Sequence, residues 1–264
     1  MSDIPIVAKL IDTSICIGCK ACEVACQEWN DHGFTPMDFN GTYQTRPDLD
    51  HDFWNLIQFN EVSQGDDFSW TMAKFQCMHC ADPGCLKACP APGAIFTRSN
   101  GIVDFDHGKC IGCGYCITAC PFDVPRRDPV SEKVFKCTLC SDRVEVGLEP
   151  ACIKACPTSC LSFGTREDLL RKAEGRAVEL QEDGFAQAGV YNPPGVGGTN
   201  VVYVLKEADQ PELYGLPSNP EIHWSVALWK GPVKWLGNLL LLGGLVGSFF
   251  HFLYIGPKQE HDED

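Results

Sequence analysis

The stretch C-I-G-C-G-Y-C-I-T-A-C-P, residues 110–121, decides the fold of this chain. Its four cysteines are spaced C-x2-C-x2-C-x3-C, and a proline follows the last of them. Gly112 and Gly114 stand between the first three cysteines, where they let the backbone turn tightly, as Gly18 does in an earlier copy. Such a loop directs three thiols to one point, and the fourth cysteine leaves it on a short helix.

The pattern occurs at four places, which makes it an internal repeat of four runs. Run one contains Cys16, Cys19, Cys22 and Cys26, and run two contains Cys77, Cys80, Cys85 and Cys89. Run three contains Cys110, Cys113, Cys116 and Cys120, and run four contains Cys137, Cys140, Cys152 and Cys156. Every run begins C-x2-C and ends C-x3-C, and only the middle spacer varies, with two, four, two and eleven residues. Sixteen of the seventeen cysteines are used in this way.

Four thiolates are what a [4Fe–4S] cluster needs, one for each iron, so the runs predict four clusters. Zinc also binds C-x2-C pairs, but a zinc site joins two separated pairs and has no role for the third cysteine. Disulfides are disfavoured because cysteines three positions apart in one loop make poor bridges. Cys160 is left over, and it is either a small buried hydrophobic residue or a spare ligand that can replace a neighbour in run four.

The composition fits a folded, acidic metalloprotein. The chain has 264 residues, 44% of them hydrophobic, which is enough for one large domain or two small ones. Its net charge of −14 argues against nucleic acid as a partner. Residues 1–10 contain neither a basic segment nor a long apolar one, so we expect no signal peptide and cysteines that stayed reduced while the chain folded.

The segments around the runs carry a more specific signal: residues 11–31, 77–90, 101–105, 110–126, 136–140 and N-P-P-G-V-G-G-T at 192–199, with the C-terminal hydrophobic segment. Together they resemble the iron–sulfur β subunit of membrane-bound respiratory formate dehydrogenases. The resemblance implies an α+β fold of two ferredoxin-like modules with four [4Fe–4S] clusters and one C-terminal transmembrane helix. It also implies an electron-transfer subunit that is not an enzyme on its own, and no catalytic residue is identifiable.

The same resemblance implies the partners. Formate is oxidised on a catalytic α subunit with a molybdenum or tungsten pterin, and electrons leave through a cytochrome b γ subunit to quinone in the cell (inner) membrane. The oligomeric state of such a complex is left open. The runs alone are also similar to those of equivalent electron-transfer subunits in membrane-anchored hydrogenases and in polysulfide or dimethyl-sulfoxide reductases, which form the alternative function. A metal-storage protein without an electron-transfer role is a further alternative.

Spacing alone could pair run one with run two and run three with run four. The resemblance implies a nested pairing, one with four and two with three, and with it four ligand sets. Cluster 1 would take Cys16, Cys19, Cys22 and Cys156, and cluster 2 would take Cys26, Cys137, Cys140 and Cys152. Cluster 3 would take Cys77, Cys80, Cys85 and Cys120, and cluster 4 would take Cys89, Cys110, Cys113 and Cys116.

These assignments predict the following organisation. The first module comprises residues 1–35 and 130–165, and the second comprises 36–129 with an insertion. A packing segment at 166–228, a transmembrane helix at 229–256 and an acidic tail at 257–264 complete the chain.

The sequence also predicts local structure in these regions. Residues 55–62 and 70–76 predict a β-hairpin. Thr165 and Asp168 predict a capped helix that buries Leu169, Leu170, Ala173, Ala177 and Leu180 and stops at Gly184. Residues 192–199 lack the lysine of a phosphate-binding loop and predict an irregular structural segment.

Residues 235–255 contain no Asp, Glu, Lys or Arg, and as a helix they would be about 31 Å long, enough to cross a bilayer. Tryptophans before this stretch and Tyr254 at its far end resemble interfacial anchors, and its glycines would allow close packing on another membrane helix. A buried helix of a globular domain is the alternative. Asn238 and His251 are polar residues within the stretch. His251 either contacts a haem or quinone site or hydrogen-bonds a neighbouring helix.

The membrane orientation is contested within the sequence. Lys230 and Lys234 precede the hydrophobic stretch, which by the positive-inside rule places the soluble part in the cytoplasm. The resemblance implies the periplasm, reached by export of the folded chain on the twin-arginine signal of the catalytic partner. We favour the periplasm because export of a folded protein does not follow the usual insertion rule.

Overall fold

The computed structural model describes residues 4–33, 39, 41–64 and 67–256. The chain divides into two compact units, Met1–Ile222 and His223–Asp264. The strands are β1 (Val7–Asp12), β2 (Asn55–Gln64), β3 (Asp67–Gln76), β4 (Ile95–Thr97), β5 (Val103–Phe105), β6 (Arg126–Arg127), β7 (Val134–Phe135), β8 (Leu161–Thr165), β9 (Gly189–Tyr191) and β10 (Val201–Leu205). The helices are α1 (Ala21–Trp29), α2 (Gly84–Ala88), α3 (Tyr115–Thr118), α4 (Ser141–Glu145), α5 (Ala151–Lys154), α6 (Arg166–Glu182), α7 (Trp224–Leu228) and α8 (Lys234–Ile255).

A four-stranded sheet of order β8-β1-β10-β9 supports the first unit. Strand β1 pairs antiparallel with β8 and parallel with β10. Because side chains alternate along a strand, Leu10 and Val202 face α6, whereas Ile11 and Tyr203 face the cysteine runs. Both faces of the central strands are therefore covered, which explains why every residue of β10 is buried.

Helix α6 confirms the capped helix predicted from the sequence. The Thr165 hydroxyl accepts a hydrogen bond from the backbone N–H of Asp168 at 3.2 Å, which satisfies one of the free donors at the helix start. The residues that α6 buries are Leu169, Ala173, Ala177 and Leu180. The helix ends just before Gly184, whose φ of 100° is a conformation that glycine adopts without strain.

The strands and helices next to the runs pair in a nested order. Strand β1 precedes run one and pairs with β8, which follows run four. Strand β4 follows run two and pairs with β5, which precedes run three. In the same way α1 packs on α5, and α2 packs on α3. Run one thus lies beside run four, and run two beside run three. The predicted hairpin is also confirmed, since β2 and β3 pair antiparallel from Asn55 opposite Gln76.

The second unit is helical. Helix α7 begins at Trp224, and a break at Gly231 and Pro232 separates it from α8. Helix α8 has 22 residues and is about 33 Å long, and it buries none of them within the unit. The segment Trp224–Ile255 is thus long and apolar enough to cross a membrane, and its helix starts five residues before the predicted boundary at residue 229. The predicted acidic tail at 257–264 lies outside the described residues.

Candidate metal centre

The residue before the second cysteine of every run has a left-handed backbone. The φ angles are 62° at Gly18, 45° at His79, 69° at Gly112 and 54° at Leu139. The sequence predicted a tight turn at Gly18 and Gly112 because glycine permits it, but it did not predict the same turn at His79 and Leu139. A left-handed residue with a side chain costs about 1–2 kcal/mol, and both side chains are fully buried, so packing holds the strained turns in place.

These turns direct backbone N–H groups at the cysteine sulfurs. The N–H of Leu139 donates to Cys137 Sγ at 3.4 Å, and the N–H of His79 donates to Cys77 Sγ at 3.5 Å. Gly18 makes the same bond to Cys16, where it contributes to lowering the pKa of that thiol. An N–H donor stabilises a thiolate over a thiol, so the loops are built for deprotonated, metal-binding cysteines.

Three pockets gather cysteines from paired runs. The first is lined by Cys16, Cys19, Cys22 and Cys156, and also by Cys160. The second is lined by Cys77, Cys80, Cys85 and Cys120. The third is lined by Cys89, Cys110, Cys113 and Cys116. Each pocket contains three cysteines of one run and a fourth from the run paired with it, and these are the sets expected for clusters 1, 3 and 4.

The remaining four predicted ligands are also close neighbours. Burial raises the pKa of Cys26, and the charges of Cys137, Cys152 and Cys140 raise it further. These are the three cysteines of run four expected in cluster 2. Every predicted site cysteine therefore lies among the other members of its set.

The donor sets fit [4Fe–4S] clusters. All seventeen cysteines lie within the described residues and are free thiols, which excludes the disulfide alternative. Burial raises the pKa of Cys22 to about 12, that of Cys85 to about 12 and that of Cys116 to about 12. Converging thiols in such pockets repel one another when charged, and a cationic iron core removes that repulsion.

Cys160 lies in the pocket of cluster 1. It is buried, and its Sγ is 3.6 Å from Cys156 Sγ. A hydrogen bond with Cys160 lowers the pKa of Cys16 to about 6, and the same contact raises the pKa of Cys160. These contacts place Cys160 as a fifth thiol directly beside the four cysteines of this set.

The glycine-rich loop at 192–199 confirms the prediction of an irregular structural segment, and the structure assigns it a place. It packs along run two, where the N–H of Ala81 donates to the carbonyl of Gly198 at 2.9 Å. The N–H of Asp82 donates to the carbonyl of Val196 at 2.8 Å. Gly198 has a φ of 82°, a left-handed conformation that glycine adopts without strain.

Buried cations near the cysteines were missed by sequence reasoning. Lys136 directly precedes Cys137 and is 3% exposed. Its Nζ donates to the carbonyls of Val103 and Cys137 at 2.5 and 3.0 Å, and it lines the pocket of cluster 3. Burial alone would lower the pKa of Lys136, but the charges of Cys77, Cys85 and Cys137 raise it. The signal in the sequence that could have indicated this buried cation is a lysine immediately before a cysteine run.

Two cysteines reach the surface, Cys19 of run one and Cys113 of run three. Each is accompanied by exposed apolar side chains, Ile17 next to Cys19 and Ile111 and Tyr115 next to Cys113. The cysteines of runs two and four are buried or half-buried. Asn238 and His251 are exposed on α8, away from all four cysteine sets in sequence.

Comparisons with known proteins agree with this geometry. Two models of a 4Fe-4S dicluster domain match residues 15–94 and 68–166, and a model described as "Formate dehydrogenase N, transmembrane" matches residues 222–264.

Among the relatives is the nitrate-inducible formate dehydrogenase iron-sulfur subunit of Escherichia coli K12, with 53% identity over 259 residues, 98% of this chain and 88% of the relative. The formate dehydrogenase iron-sulfur subunit of Haemophilus influenzae is 52% identical over 261 residues, 97% of this chain and 83% of the relative. A sulfite dehydrogenase subunit of Allochromatium vinosum is more distant, with 34% identity over 61% of this chain and 69% of the relative. The chain therefore belongs to the iron–sulfur subunits of formate dehydrogenases, and it is a single-pass membrane protein that carries four [4Fe–4S] clusters for electron transfer.

Proposed function

We propose that this chain conducts electrons from a formate-oxidising subunit with a molybdenum or tungsten pterin, through clusters 1, 2, 3 and 4 in that order, to a cytochrome b subunit and quinone. The observation that carries the proposal is the arrangement of the cysteines as four neighbouring sets, of which only those for clusters 1 and 4 contain an exposed cysteine. The chain supplies positions and potentials and performs no bond chemistry.

Electrostatic contacts between the sets support this order. Cys22 of cluster 1 is acted on by the charge of Cys152 of cluster 2. Cys77 of cluster 3 is acted on by the charge of Cys137 of cluster 2. Cys85 of cluster 3 is acted on by the charge of Cys116 of cluster 4. Each set therefore has a neighbouring set on the proposed path.

Cluster 1 and cluster 4 are the two ends of the proposed path. We infer that cluster 4, exposed at Cys113, is the exit toward the cytochrome b subunit. Cluster 1, at the surface near Cys19, then receives electrons from the catalytic partner.

A bound [4Fe–4S] cluster takes up and gives back one electron without a change of ligands. The protein's contribution is to hold the ligands and to exclude water from them. The N–H groups of His79 and Leu139 stabilise the negative charge of the ligand sulfurs. The exposed Ile17, Ile111 and Tyr115 supply apolar contact area where a partner must approach a cluster closely.

We place the soluble unit in the periplasm, as the family resemblance implies. Lys230 and Lys234 before the span favour the opposite side, so the orientation needs its own experiment. Protease added to intact spheroplasts should digest the soluble unit if it is periplasmic. Protection until the membrane is opened would place it in the cytoplasm.

The function is tested by purifying the chain with its partners from detergent-solubilised membranes and assaying formate-dependent dye and quinone reduction. Formate activity that co-elutes with the chain, with haem b in the same peak, is the expected result. Retention of about sixteen iron atoms per chain without formate activity would contradict the substrate while leaving the electron path intact.

The cluster order is tested by replacing the exposed ligands. Cys19→Ser should abolish delivery of electrons into the chain, so that formate reduces none of its clusters. Cys113→Ser should leave clusters 1 to 3 reducible by formate but block quinone reduction. The reverse pattern would overturn the proposed direction.

A further inference from the structure

Two lysines are buried side by side between the sets of clusters 1 and 2. Lys9 of β1 is 0% exposed and Lys74 of β3 is 2% exposed. Both ammonium groups donate to one acceptor, the Oε1 of the fully buried Gln76, at 3.0 and 2.5 Å. We call Lys9 and Lys74 the lysine pair. Two like charges on one amide oxygen repel each other, so an anion must stand close to them.

No carboxylate supplies that anion among the residues that the structure describes. Neither lysine has an Asp or Glu oxygen within 4.0 Å in this part of the chain. The charge of Glu23 does interact with Lys74, but its carboxylate accepts from the Thr45 hydroxyl and the N–H of Ile57 instead. A buried ammonium without a counter-charge is strongly unfavourable, so the lysine pair has its partner elsewhere.

The cysteines provide the missing negative charge. Lys9 Nζ lies 3.1 Å from Cys152 Sγ, a direct N–H···S contact with a ligand of cluster 2. Lys74 lines the pocket of cluster 1 and lowers the pKa of Cys16 by its charge, among other causes. The same charge acts on Cys26 and Cys152 of cluster 2. The lysine pair therefore faces both sets at once.

We propose that Lys9 and Lys74, held together by Gln76, are the shared fixed counter-charge of clusters 1 and 2 and raise the reduction potentials of both. The proposal rests on the cysteine sets assigned above, though not on formate as the electron source. A cluster gains one negative charge when it is reduced, and a buried positive charge beside it stabilises the reduced form. Removing that charge makes reduction harder, so the potential falls.

Cluster 4 provides an internal reference. Its pocket is lined by its four cysteines with apolar residues and Gly114, and no lysine is among the lining residues. Lys133 donates to the backbone carbonyl of Cys110, and not to a ligand sulfur. Lys109 is next in sequence to the ligand Cys110, but its side chain is 59% exposed and paired with Asp106. Water screens such a charge, so Lys109 should affect the potential little.

The sharpest test is Gln76→Glu in the purified complex. The two side chains have nearly the same shape, but glutamate places a negative charge where both ammonium groups bind. A redox titration followed by electron paramagnetic resonance should show the midpoints of clusters 1 and 2 shifted to more negative potential, with cluster 4 unchanged. Each signal is assigned by its absence from a cysteine-to-serine variant of that cluster.

Single lysine variants separate the two contributions. Lys9→Met should shift cluster 2 more than cluster 1, because only Lys9 contacts a ligand sulfur of cluster 2. Lys74→Met should shift cluster 1 more. Lys109→Met is the matched control and should shift none of the four signals.

The outcomes are decisive in both directions. Unshifted midpoints of clusters 1 and 2 in Gln76→Glu and in both single variants, at full iron content, would overturn the proposal. If a methionine variant loses iron, the corresponding arginine variant decides. Retention of iron in Lys9→Arg or Lys74→Arg supports a required charge, and loss of iron there as well indicates a purely steric role and contradicts it. Absence of formate activity with shifted midpoints would contradict only the proposed substrate.

Discussion

The two cluster modules use the same cysteine pattern in different surroundings. The module of runs one and four lies under the sheet β8-β1-β10-β9, and the lysine pair is buried within it. The module of runs two and three has only the short ribbon β4–β5 between its runs, and the pocket of cluster 4 is lined by apolar side chains. Lys136 stands at the boundary, in contact with Cys137 of one module and in the cluster 3 pocket of the other.

This difference separates two tasks that one polypeptide must perform. Cysteine spacing determines which cluster is bound, and the C-x2-C start and C-x3-C end are the same in all four runs. The segments between the runs determine the charge and polarity around each cluster, and these differ. A path of four chemically identical clusters can thereby have four different potentials.

Loss of a ligand should have the largest effect, and it tests whether every cluster is necessary. Cys140→Ser removes a buried cysteine of the set proposed for cluster 2 and should lower formate-dependent quinone reduction more than about tenfold, because the proposed path has no bypass. Cys160→Ser is the control and should keep about sixteen irons per chain. Loss of four irons from Cys160→Ser would show that it is a ligand after all.

The junction between the modules depends on Asp104 of β5. Its carboxylate accepts from Arg98 at 2.6 Å and from the hydroxyl of Ser141, which directly follows Cys140 within run four, at 2.8 Å. Asp104→Asn should lower the free energy of unfolding by about 2 kcal/mol, since it removes the buried charged acceptor shared by Arg98 and Ser141, although Arg98 keeps its contact with Glu145. Urea-induced bleaching of cluster absorbance measures this loss, and Asp106→Asn on the surface is the control. An unchanged urea midpoint would show that the modules do not depend on this contact.

The same carboxylate makes the junction sensitive to acid. Burial alone would raise the pKa of Asp104, but the hydrogen bonds from Arg98 and Ser141 lower it below the ordinary value of 3.8. The stabilisation is therefore fully present above pH 3.8 and is lost as the pH falls through the lowered pKa. In this acid range the difference in free energy of unfolding between wild type and Asp104→Asn should become smaller.

The two glycines in the loop of run three should tolerate substitution to different degrees. A side chain at Gly112 would overlap the carbonyl of Glu132, whereas at Gly114 the nearest atom is 3.9 Å away. We expect Gly112→Ala to cost about 3 kcal/mol and Gly114→Ala about 1 kcal/mol, measured by urea unfolding. Run one already has a side chain at the position that matches Gly114, since Lys20 has a φ of 61°. Equal costs would contradict the steric explanation.

Weakening helix α6, which packs on the sheet of the first module, should have a smaller effect on stability. Thr165→Ala removes the N-terminal cap of α6 and should cost about 1 kcal/mol, whereas Thr165→Ser should be nearly neutral. Unfolding measurements should show this loss with the midpoint potentials of all clusters unchanged. A change in the potential of cluster 3 or 4 would mean that the modules are coupled through the sheet.

The smallest effect is expected at His251 of α8. If it only hydrogen-bonds a neighbouring helix, His251→Ala should change quinone reduction by less than about threefold. Phe252→Ala on the same helix is the control for general packing. A large and specific loss in His251→Ala would instead indicate a haem or quinone contact.

The sequence predicted much of the fold because the decisive signals are local. The capping of α6 by Thr165 depends on a residue three positions away, and the β2–β3 hairpin pairs strands that are neighbours in sequence. The left-handed turns at His79 and Leu139 were missed because neither residue type favours them, and only packing in the folded unit holds them. The place of the loop at 192–199 was missed because its partner, run two, lies more than a hundred residues earlier.

The sequence by itself determined the number and type of clusters, since three ligands of each come from one short run whose spacing is chemical information. Tertiary structure decided what surrounds each cluster. Lys9 reaches Cys152 across 143 residues, and no spacing rule encodes such a contact. The physical reason is that ligand geometry is set by a few neighbouring backbone angles, whereas burying a cation beside a sulfur depends on how distant strands pack.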